Sequence, residues 1–201
     1  MSIIMLKNKI IGFPAVAAPQ AIGDGEPAYG GRIIVEPSDP DAKALDAAML
    51  EVAKGKWKED GEAVLAMLVE EKRVCFSKLP YRSKQGKVYD GFEGKYHLGA
   101  RNAKTQPSVF DQHGEPYVVE GKLVANKTKS DVERLIYSGC AVNAKVEIWA
   151  QDNSFGRRIN CSLLGVMFAG DGERFGGGSA PASADDFTGL ATEKADPASV
   201  L

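Results

Sequence analysis

From Cys140 the chain alternates without a break. Val142, Ala144, Val146 and Ile148 fall on one side; Asn143, Lys145, Glu147 and Trp149 fall on the other. A period of two over that length marks a strand with one buried face. Asp152–Gly156 supplies a turn, and Arg158–Phe168 returns as a second arm, so this stretch predicts a long β-hairpin. Its apolar face needs partners. Gly31–Glu36 and the extended-looking stretches 86–99 and 107–119 provide them. No regular strand–helix alternation accompanies these strands, which argues for a small barrel rather than a nucleotide-binding α/β sheet. The expected architecture is mainly β with inserted helices, a five-stranded barrel.

Three helices interrupt the strands. Ser38 is a candidate cap for residues 40–54, with Pro40 in the first turn and Leu45, Ala48, Met49 and Val52 at helical spacing. Glu59–Lys72 places Val64, Leu65, Leu68 and Val69 on one side. A shorter helix is predicted at Ser130–Tyr137, stopped by Gly139. The opening MSIIMLKNKIIGFPAVAAP is mildly apolar, but Lys7 and Lys9 break it early and Pro14 and Pro19 follow. It is too short for a membrane span and lacks the layout of a signal peptide. It reads as a leading arm or edge strand of an intracellular, cytoplasmic protein.

A boundary falls near residue 174. From Gly176 the chain is built of Gly, Ser, Ala, Pro and acids, with Phe187 its one large aromatic. Such a composition cannot bury enough apolar area to offset its ordering entropy. The expected domains are therefore a folded body, 1–174, and a flexible acidic tail, 175–201. The tail sets Asp185, Asp186, Glu193 and Asp196 against Lys194, net −3. The whole chain carries −2, which leaves the body near +1.

That near-neutrality conceals a strong local bias. Lys72–Lys104 holds Lys72, Arg73, Lys78, Arg82, Lys84, Lys87, Lys95, Arg101 and Lys104 against only Asp90 and Glu93. Phe76, Tyr81, Tyr89, Phe92 and Tyr96 are interleaved with them. Single-stranded nucleic acid needs both kinds of group: cations follow the phosphates, and aromatic faces stack on bases whatever their identity. The alternative is a solvated loop whose rings turn into the core. The candidate single-strand-binding residues are Lys78, Tyr81, Arg82, Lys84, Lys87, Tyr89, Phe92, Lys95, Tyr96, Arg101 and Lys104. Lys145 and Trp149 join them from the polar face of the alternating strand. Trp57, in a basic stretch, is a weaker candidate whose other explanation is the end of an amphipathic helix.

The other classes of chemistry find little support. Cys75, Cys140 and Cys161 are far apart and odd in number, with no CxxC pair, so neither a disulfide framework nor a zinc site is expected. Buried thiols are the simpler reading. His97 and His113 are the two histidines, and Asp111-Gln-His113 alone cannot build a metal or catalytic site. Gly170-Asp-Gly-Glu-Arg-Phe-Gly176 matches no phosphate-binding loop, and no serine sits in a GxSxG frame. No enzyme, cofactor or metal is expected.

The order of these parts resembles a family of tailed-phage and prophage single-stranded DNA-binding proteins, once classed only as a domain of unknown function. The residues that carry the likeness are Gly31-Arg-Ile-Ile-Val-Glu36, Asn102–Asp111, Ile136–Ala150, Leu163–Phe168 and Gly170–Phe175. The resemblance implies an oligonucleotide-binding (OB) barrel with inserted helices. It also implies DNA binding in phage replication or recombination, in the host cytoplasm, with an acidic tail. The tail, with Asp185-Asp186-Phe187 its most evident contact point, could dock replication or recombination enzymes or occupy the groove when DNA is absent. It departs from the family pattern in ending Pro-Ala-Ser-Val-Leu201, its acids spread thin. A phage structural or interaction protein with no nucleic-acid role is the rival reading, and RNA is a rival ligand.

Overall fold

The structure is a computed structural model that describes residues 1–21 and 25–176. The acidic tail, with Asp185, Asp186 and Phe187, lies outside the described residues. The strands are β1 (Ser2–Gln20), β2 (Ala28–Val35), β3 (Phe76–Ser77), β4 (Tyr96–Asn102), β5 (Ser108–Phe110), β6 (Pro116–Val119), β7 (Lys122–Leu123), β8 (Ala141–Asn153) and β9 (Gly156–Gly170). The helices are α1 (Pro40–Trp57), α2 (Gly61–Glu70) and α3 (Lys129–Leu135).

All nine strands form one sheet in the order β3-β4-β2-β1-β8-β9-β5-β6-β7. The expected count of five was too low, because three of the strands are only two or three residues long and carry no readable alternation. The opening segment is a central strand rather than an arm or an edge. Its first half pairs with β8, from Ser2 opposite Ile148 to Ile10 opposite Ala141. Its second half pairs with β2, from Ile11 opposite Ile33 to Gln20 opposite Ala28. The charges that disguised it are accommodated. Lys9 reaches Asp39 at 2.6 Å and Asp41 at 2.8 Å, while Lys7 points to solvent.

Register shifts between Leu6 and Lys9 and between Gly12 and Ala15 interrupt the β1 ladders. Asn8 and Phe13 sit at these points with φ near +50°. Bulges bend a strand and increase its twist, and here they curl the sheet until β4 lies against β9. The segment before β4 fills the seam. The Ile159 amide of β9 donates to the Arg73 carbonyl, and the Gly99 amide of β4 donates to the Cys75 carbonyl. The sheet is therefore OB-like but is not closed by a continuous ladder.

The core fills the inside of this curl. Val142, Ala144, Val146 and Ile148 are buried there with Ile159, Cys161, Leu163, Ile33 and Leu98, as the alternation predicts. Helix α1 adds Leu45, Ala48, Met49, Val52 and Ala53. Its cap is Asp39, whose carboxylate accepts from the Asp41 amide, one residue later than the expected Ser38. Helix α3 is capped by a reciprocal Thr128–Asp131 box rather than by Ser130. Residues 86–95 form no continuous strand but turns and loop with a single bridge at Val88, because Gly86, Gly91 and Gly94 all take positive φ. The cysteines are free: Cys140 and Cys161 buried, Cys75 half-buried. Burial pushes the Cys140 thiol up to about 11, which makes it a poor nucleophile.

Candidate nucleic-acid interface

The basic segment folds as a small projecting hairpin. Arg82 bridges Val88. The Tyr89 amide donates to the Tyr81 carbonyl, the Ser83 amide to the Lys87 carbonyl and the Gly86 amide to the Ser83 carbonyl. The tip carries Arg82, Lys84 and Lys87, all exposed. Lys84 and Lys87 have no ion-pair partner among the described residues, and Arg82 donates only to the Gly86 carbonyl. Three cations thus stand on a loop whose backbone is tied to itself.

The hairpin base carries the rings. Tyr81 and Tyr89 lie face to face, 5.1 Å between centroids and 26° between planes. Phe13 meets Tyr89 edge-on at 4.9 Å and Tyr81 at 5.7 Å. Phe13 is 45% exposed. It occupies the β1 bulge at φ +50°, and its amide donates to the Ser138 hydroxyl. A bulky residue in that conformation is strained and persists only where surrounding structure holds it. Here the bulge aims the ring at the two tyrosines.

Beneath them lies Phe92, fully buried. A Cβ on Gly12 would come within 2.8 Å of its ring, so a glycine is needed there for the ring to seat. Phe92 is the floor of the cluster and has no face for a base, which corrects its inclusion among the stacking candidates. His97 is buried beside it, 5.2 Å from Tyr81 edge-on. Burial, aided by the Arg32 charge, pulls His97 down to about 4, so it is neutral at physiological pH.

The remaining expected residues divide into three groups. Lys78 is held by Asp46 at 2.7 Å and Lys95 by Glu36. Arg101 donates to the Gln20 and Glu26 carbonyls, fastening the β1–β2 connection. Tyr96 packs edge-on against Phe76 at 6.0 Å, in the core. These four have structural work to do. Lys104 and Lys145 are exposed. Trp149 is half-buried and donates from Nε1 to the Ser162 hydroxyl at 3.0 Å. Trp149, Lys104 and Arg101 line a cleft of about 880 Å³ with Lys56 and Glu51 of α1. Trp57 packs on the core and donates from Nε1 to Asp152.

Phe13, Arg32 and Phe175 escaped sequence reasoning. Phe13 lay in a segment read as an arm, and Arg32 in a strand too short to show which face it used. Phe175 packs against Phe92 at 6.3 Å from just past the expected domain boundary. The basic residues around 72–104 were the signal that located the region.

No group of three or more His, Cys, Asp or Glu side chains among the described residues could hold a metal ion. No helix among them is long and apolar enough to cross a membrane. A family model described as the single-stranded DNA-binding protein of Enterobacter phage Enc34 matches residues 1–198. The chain belongs to the Enc34 phage single-stranded DNA-binding family. Members of the Enc34 family are binding proteins, not enzymes. Protein p50 of Acyrthosiphon pisum secondary endosymbiont phage 1 is 32% identical over 191 residues, covering 93% of each chain. The single-stranded DNA-binding protein of bacteriophage Enc34 in complex with single-stranded DNA superposes with a TM-score of 0.67 at 25% identity, covering 87% of this chain and 89% of that one. Another structure of the single-stranded DNA-binding protein from bacteriophage Enc34 gives a TM-score of 0.65 at 24% identity, covering 89% of this chain and 87% of that one. The Enc34 fold is thus the fold of this chain.

Proposed function

We propose that this protein binds single-stranded DNA without sequence preference during phage replication, stacking bases on Phe13, Tyr81 and Tyr89 while Arg82, Lys84 and Lys87 hold phosphates. Membership of the Enc34 family supports the ligand class. The observation that carries the site is the stacked Tyr81–Tyr89 pair at the foot of a hairpin whose tip is cationic. Rings accept any base, contributing about 1–3 kcal/mol each, and unpaired cations supply the salt-dependent part. Lys104, Lys145 and Trp149 would extend the contact along the outer surface. Lys78, Lys95, Arg101 and Tyr96 would support it from behind.

The same reading makes residues 175–201 an acidic tail. Asp185, Asp186 and Phe187 would compete for the cationic site or dock replication or recombination enzymes. The host cytoplasm is where such a ligand would be met. Titrating a fluorescent oligo-dT at several salt concentrations tests the proposal. Affinity should fall steeply with salt and exceed that for duplex; flat salt dependence or equal duplex affinity would refute it. Competition between oligo-dT and oligo-U separates DNA from RNA.

A further inference from the structure

Away from the interface, the seam of the curl brings two thiols together. The segment before β4 runs between the two edges of the open sheet. The Arg73 carbonyl accepts from the Ile159 amide of β9 at 3.1 Å, and the Cys75 carbonyl accepts from the Gly99 amide of β4 at 2.9 Å. From that first link each chain has two residues to go to a cysteine. Cys75 follows Arg73, and Cys161 follows Ile159 on the same inward face of β9. The two sulfurs meet there, side chain against side chain, within hydrogen-bonding reach. Both residues pack into the hydrophobic core. The third cysteine, Cys140, lies elsewhere, its amide donating to the Tyr137 carbonyl at 3.2 Å.

The pair is unequal. Cys161 is 4% exposed. The Cys75 thiol against it, and then burial, hold its own thiol well above the ordinary range. Cys75 is half-buried and sits in a bend just outside β3. An oxidant from solvent therefore meets Cys75 first. An S–S bond is about 2 Å long, shorter than a contact between two thiols, so one side chain must shift to form it. Cys75 is the freer of the two. The seam is also where a bond would matter most, because no continuous ladder joins β4 to β9.

We propose that Cys75 and Cys161 form a peroxide-sensitive thiol pair whose disulfide staples the seam of the sheet. The Cys75 sulfur attacks one oxygen of hydrogen peroxide. The O–O bond breaks, the thiol proton leaves with the other oxygen as water, and Cys75 becomes a sulfenic acid. The Cys161 sulfur then attacks the Cys75 sulfur. The S–O bond breaks, and hydroxide departs with the Cys161 proton as a second water. Two thiols together lose two electrons, and one peroxide gains them. The bridge encloses residues 75–161, and long enclosed loops gain most from a cross-link. A dithiol reductant reverses it. None of this depends on DNA binding.

The test treats the reduced full chain with hydrogen peroxide and then removes the excess with catalase. Titratable thiols in denaturant should fall from three to one. Intact mass should drop by two hydrogen atoms, and a non-reducing peptide map should join the Cys75 and Cys161 peptides. The melting temperature should rise by roughly 4–16 °C and return with dithiothreitol. The Gly99 and Ile159 amides, which donate across the seam, should exchange with solvent more slowly. Cys140→Ser should behave like the parent, and Cys75→Ser should show neither the mass loss nor the shift. The measurements on the parent need no variant, so they decide the matter even where Cys75→Ser folds poorly. Oxygen adducts on Cys75 with Cys161 still free would overturn the proposal. So would a bridge through Cys140, a bridge between two copies, or a melting temperature lowered by oxidation.

Discussion

The guanidinium of Arg32 lies 4.3 Å from the centroid of the Tyr81 ring. Tyr81 belongs to a projecting loop and Arg32 to the rigid strand β2, so the contact fastens one to the other. The pairing is worth about 0.5–2 kcal/mol, depending on how far the cation is desolvated. It also sets a cation over a half-buried ring that Tyr89 stacks against. The same charge helps keep His97 neutral. One strand residue thus positions the platform and tunes the group beneath it.

Removing the platform rings should weaken DNA binding without unfolding the protein. Tyr81→Ala and Tyr89→Ala are each expected to lower oligo-dT affinity by about 5- to 150-fold, the equivalent of about 1–3 kcal/mol. Tyr→Phe at either position should be nearly silent, since the stacking face is kept. Arg32→Ala should fall between. Fluorescence titration with circular dichroism as control decides this.

Salt dependence should separate contact cations from structural ones. Replacing Lys84 or Lys87 with alanine should reduce the slope of log affinity against log salt by about 0.7 each, the single-strand value per phosphate. Lys95→Ala and Lys78→Ala should leave the slope unchanged, because Glu36 and Asp46 already hold those amines. Titrations at three or more salt concentrations measure it.

His97 predicts a window of acid sensitivity. Its folded value of about 4 lies below the ordinary 6.5, so on acidification the unfolded chain takes the proton first. The stability His97 contributes is present above pH 6.5 and is lost as pH falls to 4, up to about 3 kcal/mol. His97→Gln should flatten urea stability across that window. Asp131, held near 2 by Thr128 and then Arg134, adds a separate loss only between its ordinary 3.8 and 2.

Phe92 and Phe13 should respond oppositely. Phe92→Ala empties a fully buried ring site and should cost about 3–5 kcal/mol of stability. Phe13→Ala removes a half-exposed ring from a strained position and should leave the melting temperature nearly unchanged while weakening oligo-dT binding. Thermal unfolding and titration on the same two variants make the comparison.

The sequence displayed the β8–β9 hairpin clearly, because Val142 to Ile148 alternate over one buried face and nothing interrupts them. Helix α1 was equally legible from Leu45, Ala48, Met49 and Val52. The barrel seam was not, since it depends on backbone links such as Arg73 to Ile159 that leave no mark on side-chain pattern. Within the interface, the cations of the 82–87 tip could be read directly from charge. Burial could not: Phe92 and Tyr89 lie three residues apart with similar neighbours, yet one is floor and the other platform. Phe13 was hidden by Pro14 and by two lysines, of which Lys9 satisfies its charge on the cap of a helix that follows a different strand.

Strand β1 belongs to two ladders at once, and this orders events on the ribosome. Ser2–Ile10 is translated long before its partner β8, which lies near the end of the folded body. Until Ile148 has been translated, Ser2 to Ile10 can present an unpaired edge with Ile3 and Met5 on its outer side. Pairing of such distant segments is slow, and open edges invite aggregation in the interval. Yield of soluble protein should therefore fall when translation between β1 and β8 is slowed, because the nascent chain must keep Ser2–Ile10 out of foreign company until the β8–β9 hairpin is made.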